Sequence, residues 1–342
     1  MSLSLEQLCR CSVAVDLGAA RTRVYLKEVG LIVDQPTVAA VNTRTGSLIA
    51  VGSLAERMTG RTPGHIRVVR PVSGGTVVDI DIAQRMLRFF VGNKVRRAWR
   101  RKPLLRAAVC VSHDADPLAR RAAAETLAGL GARRVELVDT LIAAAVGCGL
   151  PVERPEATMI VVCGATTTHI AVLSMGAIVA AEKIPVGGDI IDRAVLEHLR
   201  TRHELLLPGQ SGHPLHEVLR GADPSVGGAE VHGRDVTTGL SKSVYVDAAD
   251  VRAIVRSPLT GVLDAMRAVL RRCPPDLVAD LADRGVVLAG GSARLAGLDE
   301  LLAQGTGMHT HVADRPDLCA VEGLGALLEG KVQPLPLGPL SH

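Results

Sequence analysis

Aromatic residues are nearly absent from this 342-residue chain: they make up 1% of it, as two Phe, two Tyr and a single Trp. A core without rings must be filled by Leu, Val, Ile and Ala, and the 47% hydrophobic content allows that. No apolar run reaches the length of a membrane span. The opening MSLSLEQLCRCSVAV has no charged region followed by a long apolar stretch, so no signal peptide is expected. Charge of either sign is not in large excess: 22% of residues are charged and the net is +4, which excludes a polyanion or polycation. Lys is scarce beside Arg, which a GC-rich genome explains as well as any function. The seven Cys are odd in number and scattered, with Cys110 and Cys163 inside apolar stretches, the usage of reduced thiols in a cytoplasmic protein. Cys9 and Cys11, the only close pair, are too few for a metal site. The length suits two domains with real cores.

What is present begins with Ser12 to Leu26, SVAVDLGAARTRVYL. Val13, Val15 and Leu17 alternate, as do Val24 and Leu26, which predicts two strands joined by a tight turn. Gly18 lets the backbone turn and approach a ligand, and Ala19 and Ala20 keep side chains out of the way. Such a turn, with Thr22 beyond it, can cradle a phosphate on its N–H groups, and Asp16 can hold a hydrated magnesium ion. An ordinary hairpin explains the stretch equally well when it is taken alone.

Residues 31–71 predict a hairpin turning at Thr45-Gly46 and a helix SLAERMTG with Ser53 as N-cap and Glu56 completing a capping box. Ile80 to Val91 reads as an amphipathic helix with Ile82, Met86, Phe89 and Phe90 on one side. The densest basic run follows, GNKVRRAWRRKPLLR, with Trp99 among Arg97, Arg100 and Arg101. Read as a loop tip, it suits contact with an anionic membrane; read blandly, it is a solvated loop whose Trp packs back. One short run with one aromatic does not make a nucleic-acid groove, so no nucleic-acid partner is expected. Leu104 to Ser112 predicts a strand, Asp116-Pro117 a helix start, and Arg134 to Val138 a strand ending at Asp139. The small-residue helix LIAAAVGCG should let another element approach closely. Strand and helix alternate, as in α/β layer structures.

The second half, from about Pro151, repeats the opening layout. Met159 to Cys163 is a strand, Gly164, Ala165, Thr166 and Thr167 form a turn, and His169 to Ser174 is a strand. A repeated phosphate-type hairpin is more specific than either copy. A Gly-Gly turn and a helix follow, residues 205–246 look loop-heavy, and Ser257-Pro258 starts a helix that runs to Arg272. Gly290, Gly291 and Ser292 form a third glycine turn, placed between a strand and a helix N-terminus, where an anionic ligand fits.

Two duplicated strand–turn–strand units and a later Gly-Gly-Ser turn resemble the actin-like ATPase superfamily. VAVDLGAARTRVYLK, MTGRTPGHIRVVRPVSGGTVVD, VELVDTLIAAAVGCGLPV, IPVGGDIIDRAV and the stretch from Ser257 to Leu302 are similar to the bacterial actin homologue MreB, from about Ser12 to about Leu328. The resemblance implies an α/β fold of two duplicated halves, with ATP and magnesium in the cleft between them. It implies core subdomains at 1–33, 72–149 and 313–342, and at 150–186 and 247–312, with small subdomains at 34–71 and 187–246. It implies self-association, or co-assembly with an intact MreB-type subunit. It also implies peripheral attachment to the inner face of the cytoplasmic membrane, through Val95 to Trp99 or an N-terminal segment, and work with membrane proteins of wall synthesis in cell shape.

The departures from the family concern catalysis. The first turn has Ala19 and Arg21 where the family has Thr and Asn. The second usually reads Asp-Ile-Gly-Gly-Gly-Thr-Thr; here Val162 replaces its carboxylate, and Ala165 and Thr166 replace glycines. The water-orienting Glu-Glu-Pro is Asp139-Thr140-Leu141, so Asp139 is the candidate catalytic residue. The adenosine-side acid-x-x-Lys motif falls near His213 to Glu217, without the Lys and with Pro214. The expectation is a nucleotide-binding filament subunit with slow or absent hydrolysis. A nucleotide-independent membrane scaffold and an active ATPase or kinase are the alternatives.

Overall fold

A computed structural model describes residues 8–99, 106–207, 227–295 and 297–332, with the side chains of 93–99 excepted. The opening stretch folds as two antiparallel strands, β1 (Val13–Leu17) and β2 (Arg21–Leu26), followed by β3 (Gly30–Pro36). β4 (Ala39–Asn42) and β5 (Leu48–Val51) form the expected hairpin, with Gly46 at positive φ in its turn, and β6 (Ile66–Val69) adds to β4. Between them lies helix α1 (Ser53–Met58). Its N-cap is Gly52 and not Ser53: the Ser53 hydroxyl is one residue inside the helix and bonds the Gln35 side chain instead.

After a small ribbon, β7 (Val72–Ser73) and β8 (Thr76–Val77), helix α2 spans Ile80–Trp99. It buries Ala83, Met86, Leu87, Phe90 and Val91, a 3.6-residue stripe that leaves Phe89 out of phase and 65% exposed. Phe89 is therefore not on the core face. The helix continues through Arg97 and Trp99, where the sequence suggested a loop; Arg100 and Arg101 lie outside the described residues.

β9 (Arg106–Val111), α3 (Pro117–Ala128), β10 (Arg134–Asp139) and α4 (Thr140–Gly147) follow as expected. Asp116 caps α3 by accepting the Ala119 N–H at 2.6 Å, with Pro117 at the first helical position. The second half holds β11 (Thr158–Cys163), β12 (Thr168–Ser174), β13 (Ala177–Ile184) and α5 (Gly188–Arg202). The described residues 205–207 and 227–247 hold more regular structure than the composition suggests: β14 (Leu205–Leu206), β15 (Gly228–Asp235) and β16 (Ser241–Asp247) make a sheet around a long hairpin. His213 to Glu217 lie outside the described residues.

Helix α6 (Ala248–Arg272) starts ten residues before Pro258, capped by Asp247. An internal Pro costs about 3 kcal/mol. Here the stripe Val251, Val255, Leu259, Val262, Met266 and Val269 is buried along the whole helix and outweighs it. Pro274-Pro275 ends α6 and also begins α7 (Pro275–Arg284), which the sequence reading missed. β17 (Val286–Ala289), α8 (Leu298–Thr306), β18 (Thr310–Val312) and α9 (Cys319–Leu328) complete the described chain. Because α8 starts only at Leu298, Gly290, Gly291 and Ser292 are not at a helix N-terminus, contrary to expectation.

Two five-stranded mixed sheets organise the fold, in the orders β10-β9-β1-β2-β3 and β13-β12-β11-β17-β18. In the first, β1, β9 and β10 are parallel; in the second, β11, β17 and β18 are parallel. Helices α4 and α9 cross between the sheets, α4 touching β10 and β11 and α9 touching β1 and β2. The crossing needs glycine: a Cβ on Gly147 would overlap the Cys319 carbonyl, and one on Gly323 the Ala143 carbonyl. The close approach expected from the small-residue helix is this contact.

Candidate functional site

The parallel strands of each sheet end on the edge where open α/β sheets bind ligands. In the first sheet these ends carry Asp16-Leu17, Val111-Ser112 and Asp139; in the second they carry Cys163, Ala289 and Val312. The two predicted turns sit here and are copies of one another. Gly18 N–H donates to the Arg21 carbonyl at 3.0 Å, and Gly164 N–H to the Thr167 carbonyl at 2.9 Å. A Cβ on Gly18 would come within 2.8 Å of Arg21 O, and one on Gly164 within 2.9 Å of Thr167 O, so each turn closes this tightly only on glycine.

Most carbonyls of the two turns are occupied. Thr37 Oγ1 donates to Gly18 O at 2.7 Å, Arg70 Nη1 to Ala19 O at 3.3 Å, and Thr37 N–H to Ala20 O at 2.8 Å. In the second turn Gly188 N–H donates to Gly164 O at 3.1 Å and Asp189 N–H to Ala165 O at 2.8 Å. Turn lone pairs that would repel an anion are thus engaged, which favours presentation of N–H groups. Thr22 and its counterpart Thr168 are fully buried and brace the cradles: Thr22 Oγ1 is 2.8 Å from Thr37 Oγ1, and Thr168 Oγ1 donates to Val186 O at 2.7 Å. Thr22 is therefore a support for the turn. The third turn is tied to the second, with Ser292 N–H donating to Cys163 O at 3.0 Å and Gly290 N–H to Pro316 O at 2.6 Å. Gly290 has φ 90°, and a Cβ there would overlap the Cys163 carbonyl.

A cavity of about 210 Å³ lies between the halves, lined by His113, Asp114 and Leu141 on one side and His169 and Lys183 on the other. Lys183 Nζ reaches Asp114 Oδ1 at 3.1 Å across it. Burial pushes Asp114 up, but the Ser112 hydroxyl and the Lys183 ammonium outweigh it and hold the carboxyl below its usual range. His169 Nε2 is 3.1 Å from Thr167 Oγ1; burial, helped by Lys183, pushes its pKa down to about 4, so the ring is neutral at pH 7.

Asp139 stands at the end of β10 with both oxygens engaged. Oδ1 accepts the Leu141 N–H at 2.8 Å as the cap of α4, and Oδ2 faces His113 Nδ1 at 3.2 Å. Burial raises its pKa, against the pull of the Leu141 N–H and His113. Asp16 is also raised by burial; Arg23 pulls it back. Arg23 Nη1 lies 3.8 Å from Asp16 Oδ2, its Nε 3.3 Å from Asp34 Oδ1 and its Nη2 3.2 Å from Asp317 Oδ2. Arg21 also takes Asp34, at 2.6 Å. These groups do not suit magnesium. Asp16 faces a guanidinium, Val162 offers a buried apolar side chain, and Asp139 is committed to a helix cap and a histidine.

The structure thus brings Gly18 to Thr22 and Gly164 to Thr167 to matching positions, and joins Gly290 to Ser292 to the second. Sequence reasoning missed Thr37, Arg70, His113, Lys183 and Arg23. Of these, Arg23 was legible: strand register alone places it opposite Asp16.

The family model described as MreB/Mbl protein matches residues 10–334. The cell shape-determining protein MreB of Escherichia coli is 35% identical over 323 residues, 93% of each chain. The cell shape-determining protein Mbl of Bacillus subtilis is 32% identical over 319 residues, covering 93% of this chain and 95% of its own. Among solved structures, MreB5 of Spiroplasma citri bound to AMPPNP superposes with a TM-score of 0.84 at 26% identity, over 91% of this chain and 93% of that one. The same protein bound to ADP gives 0.85 at 25% identity, over 91% and 94%. Duplicated turns on two facing sheets and similarity along nearly the whole chain lead to one assignment: this chain belongs to the MreB/Mbl family and has the actin-like fold.

Proposed function

We propose that this chain is a cell-shape filament subunit of the MreB/Mbl kind that holds adenine nucleotide between its halves and hydrolyses it slowly or not at all. The matched closure of the two turns, with Gly18, Ala19 and Ala20 carbonyls of the first and Gly164 and Ala165 carbonyls of the second satisfied from behind, carries the nucleotide reading. Ala19 and Ala20 in one turn, Ala165 and Thr166 in the other, and Gly291 in the third are the backbone groups for the phosphates and nucleoside. The bound AMPPNP and ADP of the Spiroplasma protein support this.

Slow turnover follows from charge placement. Phosphoryl transfer depends on positioned charge, and one lost preorganised donor costs about 3–4 kcal/mol of transition-state stabilisation. Val162 offers no charge, and Asp139 would have to leave the Leu141 N–H or His113 to orient a water. The partners this reading implies are further copies of the chain or an intact family subunit, and membrane proteins of wall synthesis. The place of action is the inner face of the cytoplasmic membrane. The basic run around Trp99, with Arg97, Arg100 and Arg101, is the candidate membrane contact.

Electron microscopy of the pure protein on anionic vesicles tests the reading. Filaments should form with AMPPNP and with ATP alike; no assembly under any nucleotide condition, alone or with an intact subunit, would reject it. Sedimentation with the same vesicles should lose Trp99→Ala relative to wild type, and equal pelleting would reject the Trp99 contact. A second reading, a scaffold independent of nucleotide, is favoured by the Lys183–Asp114 pair that already bridges the cleft. Calorimetric titration with AMPPNP separates the two.

A further inference from the structure

We infer that Cys148 and Cys319 form a modification site, at which a peroxide joins them in a reversible disulfide that ties together the two places where the chain passes between its halves. Among the described residues the chain makes two such passes. It leaves the first sheet through α4 and residues 148–157 to reach β11. It returns from β18 through residues 313–318 to α9, which packs on β1 and β2. Cys148 is the C-cap of α4 and opens the outgoing pass; Cys319 is the first residue of α9 and closes the returning one.

Both thiols are free, and they touch. Cys148 donates a hydrogen bond to Cys319, whose own Sγ donates to Arg315 O at 3.3 Å, inside the returning pass. The backbones are close as well: Gly147, the residue before Cys148, lies so near the Cys319 carbonyl that a Cβ there would overlap it. Close backbones and facing sulfurs are what a disulfide requires. Cys319 is buried, whereas Cys148 is half-buried at the edge of the same apolar cluster, so a small oxidant reaches the pair from the Cys148 side. The bond from Cys148 holds the Cys319 thiol below its usual range, against burial. Burial pushes the thiols of Cys11, Cys110, Cys163 and Cys273 up instead. The thiolate is the nucleophile, so Cys319 reacts first. It attacks a peroxide oxygen, breaking the O–O bond and giving a sulfenic acid and hydroxide. Cys148 sulfur then attacks the Cys319 sulfur, the S–S bond forms, and the sulfenic oxygen leaves as water with the Cys148 proton. The hydroxide takes the proton that Cys319 lost, so two thiols are oxidised and one peroxide is reduced to two waters. In a reducing compartment such a bond is transient and is reopened by dithiols.

The test treats the full-length protein with hydrogen peroxide, alkylates it under denaturing conditions and maps its peptides. Alkylatable thiols should fall by two from seven, with one linked peptide pair, Cys148 to Cys319, that dithiothreitol reverses. Seven thiols left free, or a link between other cysteines, would overturn the inference. Cys148→Ser should keep all its thiols as reduced thiols under the same treatment; loss of two of them would overturn it equally. Hydrogen exchange on the oxidised and reduced wild type reads the tie itself: amides of residues 149–157 and 313–318 should exchange more slowly when the bond is closed. A closed bond with unchanged exchange in both segments would overturn the tie between the passes.

Discussion

Mild acid should destabilise this protein through His169. The ring is 7% exposed on β12, with Lys183 as its cross-strand partner and His113 and Asp114 across the cavity. Its pKa falls from 6.5 to about 4 in the folded state, so between those values the unfolded chain binds a proton that the folded chain refuses. The sign follows: this contribution to stability is complete above about pH 6.5 and is lost as pH falls toward 4. Taking the two protonation equilibria together, lowering the pH from about 7 to about 5 removes about 2 kcal/mol, and reaching pH 4 removes about 3. Either is a large share of the ~5–15 kcal/mol that holds a typical domain folded. Urea denaturation at the two pH values, on wild type and His169→Gln, measures it. Gln keeps a polar atom near Thr167 but cannot titrate, so the wild type should lose about 2 kcal/mol more than the variant. Equal losses would refute the assignment of a buried neutral His169.

Gly323→Ala should destabilise by about 3 kcal/mol, the upper range for overpacking, because its Cβ would meet the backbone of Ala143 at the α4–α9 crossing; thermal unfolding reads this directly. Gly187→Ala places a Cβ 2.5 Å from Ala165 O and 2.7 Å from Gly164 O. It should therefore displace the second turn and weaken nucleotide affinity by about tenfold, measured by fluorescence titration.

Alternation and turn residues make the opening hairpin, its repeat and the capped α3 legible in the sequence, because each is fixed by residues close together along the chain. Phe89 and Pro258 mislead for a shared reason. A local rule puts Phe89 on the core face and Pro258 at a helix start, while the buried stripes of α2 and α6 set the true phase and extent. Ser53 is misplaced by one residue because the Gln35 side chain, eighteen positions away, takes its hydroxyl. The site is half legible. Its glycines advertise a cradle, but most of the groups that decide its chemistry meet only through tertiary structure: Thr37 behind the first turn, His113 on Asp139, Lys183 on Asp114, and Arg23 on Asp317. Asp16 and Asp139 look available in the sequence; packing gives each of them a partner.

The central claim is a cleft kept for binding nucleotide but not for breaking it. Its most direct measurement is to mix the purified protein with γ-labelled ATP, separate bound from free at equilibrium, and identify the bound nucleotide by chromatography after a long incubation. Nucleotide should be bound and should remain intact ATP. Bound ADP with released phosphate, at the rate of an intact family member, would contradict the claim.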